Sequence, residues 1–359
     1  MNDRAWVATR KGLLELRRGG SAAWEIARAS FLGEPVSMLL PPIGGTGRMF
    51  AALNLGHFGV KVHVSDDCGA TWNEVAAPAY PQQPENAPGP AWKLVQIWSL
   101  AEARGTIWAG TLPGGLFRSH DGGASWQLVE SLWNRPERLE WFGGGYDVPG
   151  IHSICTHPQR AGEMLVGVSC GGAWHSADDG ASWTSRAKGM RAQYMPPEQA
   201  ENANTQDPHA IVRCAAGPDR LWCQHHNGIW RSDDNAASWQ QVSGVPVSDF
   251  GFAVAVDPRD GDRAWFVPAI ADERRVPKDG AFVVNRTRDG GKSFETLREG
   301  LPQSQCYDLA YRHGLAVADD GKSLLVGSTT GSLWASHDAG ERWSVVSNHM
   351  PPIFALRFG

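Results

Sequence analysis

The chain is 359 residues long, and its 42% hydrophobic and 20% charged residues exclude a disordered protein and allow a large core. A formal net charge of −5 leaves no basic excess for binding a phosphate backbone, so no nucleic-acid partner is expected. No window reaches about 18 consecutive apolar residues, so neither a membrane span nor a membrane partner is expected.

The N-terminal segment MNDRAWVATRKG lacks the basic stretch followed by an apolar run that marks a secretory signal. None of the six cysteines stands in a Cys-x-x-Cys pair. Without a signal, the cysteines are expected to be reduced thiols rather than a disulfide framework. The sequence therefore predicts a cytoplasmic protein.

A short pattern, Ser/Thr-x-Asp-x-Gly-x-Ser/Thr-Trp/Phe, recurs six times along the chain. Its aspartates are Asp67, Asp121, Asp178, Asp234, Asp289 and Asp338. Two copies depart from the pattern, because Ala236 stands at the glycine position of the fourth and Arg342 replaces the second hydroxyl residue of the sixth. The closing aromatic residues are 49 to 57 positions apart, and a nearly constant period of this length indicates a repeat architecture.

Each period contains four short strand patterns, which are clearest in the third period. There, residues 152–157, 164–169, 173–176 and 182–186 are short runs separated by turn residues. Four antiparallel strands that repeat in this way predict a β-propeller. The seventh blade is predicted from residues 353–358, 5–9, 13–17 and 23–27, so that the chain ends share one sheet and leave no edge exposed. We expect one domain over residues 1–359.

The six copies resemble the Asp-box, or BNR, repeat of the Asp-box β-propellers. This family includes sialidases, xyloglucanase-type glycosidases, sortilin-like receptors and photosystem assembly factors. The resemblance covers nearly the whole chain and implies an all-β, seven-bladed β-propeller with four-stranded antiparallel blades. In the family, the Asp box is a structural turn on the face away from the ligand. The Phe/Tyr-Arg-Ile-Pro motif of the sialidases is missing, so the resemblance does not extend to the sialidase catalytic motifs.

The face opposite the Asp boxes is built from the turns between second and third strands and from the connections between blades. Five histidines are expected on its rim, namely His57, His152, His209, His225 and His226. We predict that four of them bind a divalent transition metal (Zn, Fe, Cu, Ni or Mn), because neutral imidazoles suit such ions. The predicted ligands are His57, His152, His209 and His226. One alternative has no metal, with a histidine as general base assisted by Tyr307 or Arg10. The other is that the rim histidines only bond to water and loop carbonyls.

Other rim residues are candidates for catalysis or substrate binding. His225 and Tyr307 are the predicted acid/base groups, and Asp308 and Arg10 are further catalytic candidates. Long connections at residues 78–92, 132–150, 189–208 and 269–280 are expected to wall a pocket. The predicted pocket residues are Trp98, Cys170, Phe252 and Arg274.

These patterns favour a small-molecule-binding propeller, with a metal-assisted hydrolase or lyase as the first hypothesis. A metal-bound water would be the nucleophile or base near neutral pH. The first alternative is a glycoside hydrolase-like enzyme, which needs two carboxylates roughly 5–9.5 Å apart. The second is a non-catalytic protein-interaction or assembly scaffold. The sequence leaves the substrate, the oligomeric state and the pathway open.

Overall fold

The computed structural model describes residues 3–19 and 23–359, so residues 1, 2 and 20–22 of the predicted domain lie outside the described part. Within this part, 28 strands form seven four-stranded sheets. The chain is all-β and has the predicted seven-bladed β-propeller fold, in which each antiparallel sheet is one blade. The described residues include one α-helix, α1 (Glu130–Trp133). None of their helices is long and apolar enough to cross a membrane.

The strands are numbered along the chain, and the first three belong to blade 7: β1 (Arg4–Thr9), β2 (Gly12–Arg18) and β3 (Trp24–Ser30). Blade 1 consists of β4 (Val36–Leu40), β5 (Met49–Asn54), β6 (Val60–Ser65) and β7 (Asn73–Val75). Blade 2 consists of β8 (Gln96–Ala103), β9 (Thr106–Leu112), β10 (Leu116–Ser119) and β11 (Gln127–Leu128). Blade 3 consists of β12 (Ile151–Thr156), β13 (Met164–Val168), β14 (Gly172–Ser176) and β15 (Thr184–Ser185).

The later blades follow the same order. Blade 4 consists of β16 (Pro208–Arg213), β17 (Leu221–His225), β18 (Gly228–Ser232) and β19 (Gln240–Val242). Blade 5 consists of β20 (Gly251–Asp257), β21 (Asp260–Pro268), β22 (Val284–Thr287) and β23 (Glu295–Leu297). Blade 6 consists of β24 (Leu315–Val317), β25 (Leu324–Gly327), β26 (Leu333–Ser336) and β27 (Ser344–Ser347). Blade 7 is completed by β28 (Ile353–Phe358). Short 3-10 helices lie at Gly56–Phe58, Pro136–Glu140, Ala203–Thr205 and Lys278–Gly280.

The residues group into two compact units. Residues 37–208 form one unit, with blades 1–3, and the described residues up to 36 and from 209 onward form the other, with blades 4–7. Each unit packs an apolar core of its own. Trp108 and Trp174 are central to the core of the first unit, and Trp265 and Trp334 to that of the second.

Blade 7 joins the two ends of the chain, as predicted. β28 is its innermost strand and pairs with β1, with Ala5 opposite Phe358 and Val7 opposite Leu356. Val7 and Leu356 are completely buried. The pairing covers the edge that β1 would otherwise expose, which is how a sheet avoids edge-to-edge association.

The six repeats form the same turn between the third and fourth strands of blades 1–6. In each, the first hydroxyl bonds to the aspartate, at 2.7–3.0 Å, and accepts the amide of the glycine position, at 2.7–2.9 Å. The aspartate also accepts the amide four residues later, at 2.8–3.0 Å. Each turn therefore satisfies its own backbone donors.

The glycine position of these turns lies in the left-handed region. Its φ is +78° at Gly180, and in the fourth turn Ala236 adopts a φ of +64°. A left-handed residue with a Cβ carries a strain of roughly 1–2 kcal/mol, and glycine does not. Ala236 is therefore a strained position inside a turn that is otherwise well bonded.

Replacing Ala236 by glycine is expected to stabilise the protein by roughly 0.5–1 kcal/mol, because the relieved strain exceeds the chain entropy that glycine adds. This corresponds to a rise in Tm of about 2 °C. Thermal unfolding followed by circular dichroism measures it. The matched reverse change, Gly180→Ala, should lower Tm, and a Tm lowered by Ala236→Gly would contradict the strain argument.

The Asp turns also make the stability of the protein depend on pH. Hydrogen bonds from the Ser293 hydroxyl and amide lower the pKa of Asp289 from 3.8 to about 2. The pKa of Asp289 is lower in the folded protein than in the unfolded chain. The ionised carboxylate therefore stabilises the fold fully above the unfolded-state pKa, and this stabilisation is lost as the pH falls towards the folded-state pKa. Asp289→Asn should therefore lower Tm at pH 7, with the difference from wild type shrinking between about pH 4 and pH 2. Exposed Asp319→Asn is the control, and a pH-independent difference would argue against this account.

Candidate functional site

A group of rings and guanidinium groups surrounds Phe252 in the unit of blades 4–7. We call it the Phe252 cluster, and it comprises His209, His226, Phe250, Phe252, Arg275, Tyr311 and Arg312. These residues lie at the starts of innermost strands or in turns between second and third strands. The cluster therefore occupies the face that the sequence predicted, on the side opposite the Asp turns.

His209 is the central imidazole of the cluster. It is 2% exposed, and its ring stacks on Phe252 with 4.5 Å between centroids and 16° between planes. Its Nδ1 lies 2.6 Å from the carbonyl oxygen of Gly251. Because a carbonyl only accepts, Nδ1 carries a proton. In the neutral form of the ring, Nε2 is then the nitrogen that keeps its lone pair.

His226 is the second imidazole. It lies in the turn between β17 and β18, half-buried, with its ring 5.4 Å from His209 and 5.8 Å from Phe250. A ring nitrogen of His226 lies within 4.8 Å of one of His209. The structure thus brings together two of the four histidines that were predicted to bind metal.

His225, the neighbouring residue, has different surroundings. It is completely buried, its Nδ1 accepts the amide of Asn227 at 3.0 Å, and its ring lies against Trp230. Successive side chains of a strand point to opposite faces of the sheet. His225 therefore holds the turn that carries His226, and its acid/base role stays a prediction.

Two arginines complete the cluster. The guanidinium carbon of Arg275 lies 5.2 Å from the centroid of Phe252, and that of Arg312 lies 5.5 Å from it. Burial alone would lower the pKa of Arg275, but its interactions with Tyr311 and Asp272 outweigh burial and raise it. Arg274, the predicted pocket residue, is exposed; the inward-facing arginine is the next residue.

The remaining predicted rim histidines belong to the unit of residues 37–208. His57 is exposed in a 3-10 helix, with its ring against Phe58. His152 is completely buried, with its Nδ1 2.9 Å from the Ser153 hydroxyl. Its ring packs edge-on against the predicted pocket residue Trp98, at 5.6 Å. Their roles as ligands stay predictions.

Cys170 lies in a tight turn of blade 3. It is buried, its φ is +45°, and its amide donates to the carboxylate of Asp207 at 3.1 Å. The pKa of nearby Tyr194 is raised by burial, by the charge of Asp207 and by the Cys170 thiol. Cys170 therefore sits in a packed polar cluster, and substrate contact by it stays a prediction.

Tyr307 and Asp308 border a separate cavity of about 660 Å³ in the unit of blades 4–7. Tyr307 is 70% exposed, while Asp308 accepts the Ser328 hydroxyl at 2.7 Å. Burial, with Asp308 nearby, raises the pKa of Cys306 to about 11, so this thiol is neutral at physiological pH. Arg10 is exposed in the turn between β1 and β2.

Sequence reasoning missed Phe250, Tyr311 and Arg312 as site residues, and it left open whether Arg274 or Arg275 of the turn at residues 271–278 would face the site. Tyr307 is the tyrosine that the sequence predicted on the rim, but it lies well before β24, which begins at Leu315. The segment CYDLAYRH presents two tyrosines four positions apart, and either fits the strand pattern. Packing against Phe252 selects the second one, Tyr311, with a centroid distance of 5.0 Å.

No protein-family model matches the sequence, and no curated protein matches it. Among solved structures, the chain is similar to YCF48 bound to a D1 peptide, at 16% identity and a TM-score of 0.56 over 94% of this chain and 90% of that one. YCF48 from Cyanidioschyzon merolae is 12% identical, with a TM-score of 0.54 over 87% and 84%. An ancestral GH74 enzyme is 16% identical, with a TM-score of 0.60 over 99% of this chain but 40% of the enzyme. At these identities the likeness shows the fold alone.

The packing around Cys170 gives a testable expectation. A Cβ added to Gly144 would lie 2.8 Å from both the Cys170 sulfur and the Ser169 hydroxyl. Gly144→Ala should therefore push this turn apart, destabilise the protein by roughly 1–3 kcal/mol and raise the rate at which iodoacetamide labels Cys170. Thermal unfolding and mass spectrometry of the labelled protein measure both effects. Gly217→Ala, at a position with nothing within 4 Å of the new Cβ, is the control; equal labelling in both variants would refute the close packing.

Proposed function

We propose that the protein is a metal-assisted hydrolase or lyase acting on a small molecule, with its site at the Phe252 cluster. The observation that carries the proposal is the hydrogen bond between Nδ1 of His209 and the Gly251 carbonyl. Metal-ligating histidines almost always donate their other ring N–H to a carbonyl, carboxylate or water, which sets both the tautomer and the ring orientation. His209 has this arrangement, and stacking on Phe252 restricts its ring further.

His226 supplies a second nitrogen next to His209. A catalytic ion usually takes three protein ligands and keeps one open position. The ligand roles of His57 and His152, which lie in the unit of residues 37–208, stay predictions. Imidazole ligands suit Zn, Fe, Cu, Ni or Mn. Such an ion, when bound, lowers the pKa of a water and polarises a substrate oxygen. The chain itself contributes oriented imidazoles, an apolar floor of Phe250 and Phe252, and two guanidinium groups.

The glycoside hydrolase alternative is less well supported. Asp308 is the only carboxylate among the described residues that line its cavity. The two-carboxylate mechanism requires a partner roughly 5–9.5 Å away. The catalytic roles of Tyr307 and Asp308 therefore stay predictions that depend on a second acid.

The scaffold alternative has one favourable observation. The aromatic Tyr307 and the apolar Val345 are 70% and 53% exposed, and both border the cavity of about 660 Å³. YCF48, which shares the fold, has been solved with a bound D1 peptide. A peptide is therefore the occupant to test there. The shared hydrogen bonding of the six turns supports the further proposal that the chain is an Asp-box propeller. A cytoplasmic location stays a prediction.

Removing either clustered imidazole should abolish metal binding. Protein purified without a His-tag is expected to take up close to one equivalent of a transition metal, and His209→Ala and His226→Ala should each lower that content at least tenfold. Elemental analysis measures the content, and the visible spectrum of cobalt-loaded protein reports imidazole ligation without any assay of activity. His349→Ala, which removes an exposed histidine, is the matched control.

Three further variants identify the rest of the ligand set: His57→Ala, His152→Ala and Asp207→Asn, the last because Asp207 precedes His209 by two positions in the sequence. Circular dichroism confirms that each variant is folded. Wild-type protein that binds none of the five metals, or equal metal content in the His209, His226 and His349 variants, would overturn the proposal.

A further inference from the structure

The turn between β21 and β22 positions Arg275 towards Phe252. Inside this turn the Ile270 amide donates to the Val276 carbonyl at 3.0 Å, and the Arg274 amide donates to the Ala271 carbonyl at 3.1 Å. The Arg275 Nε donates to the Asp272 carbonyl at 2.9 Å. These bonds make the turn a small hairpin with a defined inner side. Arg275 lies half-buried on that side, while Arg274 is exposed.

Arg312 reaches the same ring from the segment that leads into β24. It is 7% exposed, and the neighbouring Tyr311 packs edge-on against Phe252. Burying a guanidinium removes most of its hydration, which a protein compensates with a ring face or with acceptors. Arg275 and Arg312 therefore place two permanent positive charges at one aromatic ring.

The two guanidinium groups lie beside the imidazole pair. His209 stacks on the same Phe252 ring, at 4.5 Å, and His226 lies 5.4 Å beyond it. Asp272 bonds to Arg275 from within the turn, which orients its guanidinium. A planar guanidinium fork matches the two oxygens of a carboxylate or phosphate, and such charge-assisted pairs are the stronger hydrogen bonds of proteins.

We infer that Arg275 and Arg312 bind the oxyanion group, a carboxylate or a phosphate, of an anionic small molecule whose reacting part lies at His209 and His226. The inference names the substrate class of the site and in that respect rests on the proposed function. Binding of the anion itself involves only the two arginines. It can therefore be tested on protein from which metal has been removed.

Isothermal titration calorimetry of EDTA-treated protein at low salt, with inorganic phosphate and succinate as separate probes, tests the inference. Wild-type protein is expected to bind at least one probe. If it binds only phosphate or only succinate, that result identifies the oxyanion that the site prefers. Arg275→Gln should weaken that binding at least tenfold, and Arg275→Lys by less, because it keeps the charge but loses the fork. Arg274→Gln, the same charge change one residue away, should bind as wild type does.

Arg312 is buried, so Arg312→Gln is compared with Arg312→Lys, and thermal unfolding confirms that both are folded. Weaker binding in the folded Arg312 variants supports the inference. A wild-type protein that binds neither probe, or an Arg274→Gln variant weakened as much as Arg275→Gln, overturns it. Anion binding without any metal uptake would refute the proposed function alone, whereas metal uptake without anion binding would refute the inference alone.

Discussion

Pairing of β28 with β1 is the constraint on which the unit of blades 4–7 depends. The C-terminal strand supplies the innermost position of a blade whose other three strands lie at the N-terminus. Without β28, blade 7 would expose a row of backbone donors and acceptors along β1. The opposed residues Val7 and Leu356 are completely buried, so apolar burial and backbone pairing stabilise the same contact.

The rigidity of the strands also explains where the candidate site lies. His209 and Phe252 stand near the starts of the innermost strands β16 and β20, and neighbouring turns add His226 and Arg275. Strand starts are well positioned, whereas turns vary in sequence without disturbing the sheet. The Asp turns stabilise the opposite ends of the blades, so the bonds that hold the fold and the residues of the candidate site occupy different faces.

The chemistry of the Phe252 cluster follows from one aromatic ring with several partners. Phe252 stacks on an imidazole, lies near two guanidinium groups and packs against Tyr311. An aromatic face attracts cations and restricts planar groups that stack on it. Polar side chains are thus oriented at an apolar floor, which is the usual composition of a small-molecule site.

The sequence by itself determined the number of repeated blades and the six turns, because both depend on short-range patterns that repeat. The shared seventh blade followed from the strand patterns that remain at the two chain ends. Asp178 bonds to Ser176 and Ser182, which are two and four residues away, and strand alternation needs no distant partner. The sequence also placed His209, His226 and Phe252 on one rim, but the rest of the site required the tertiary structure. Arg275 rather than Arg274 and Tyr311 rather than Tyr307 contact the cluster. Each pair is chemically alike and close in sequence, so the choice is made by turn geometry and by packing against Phe252, which neither composition nor period contains.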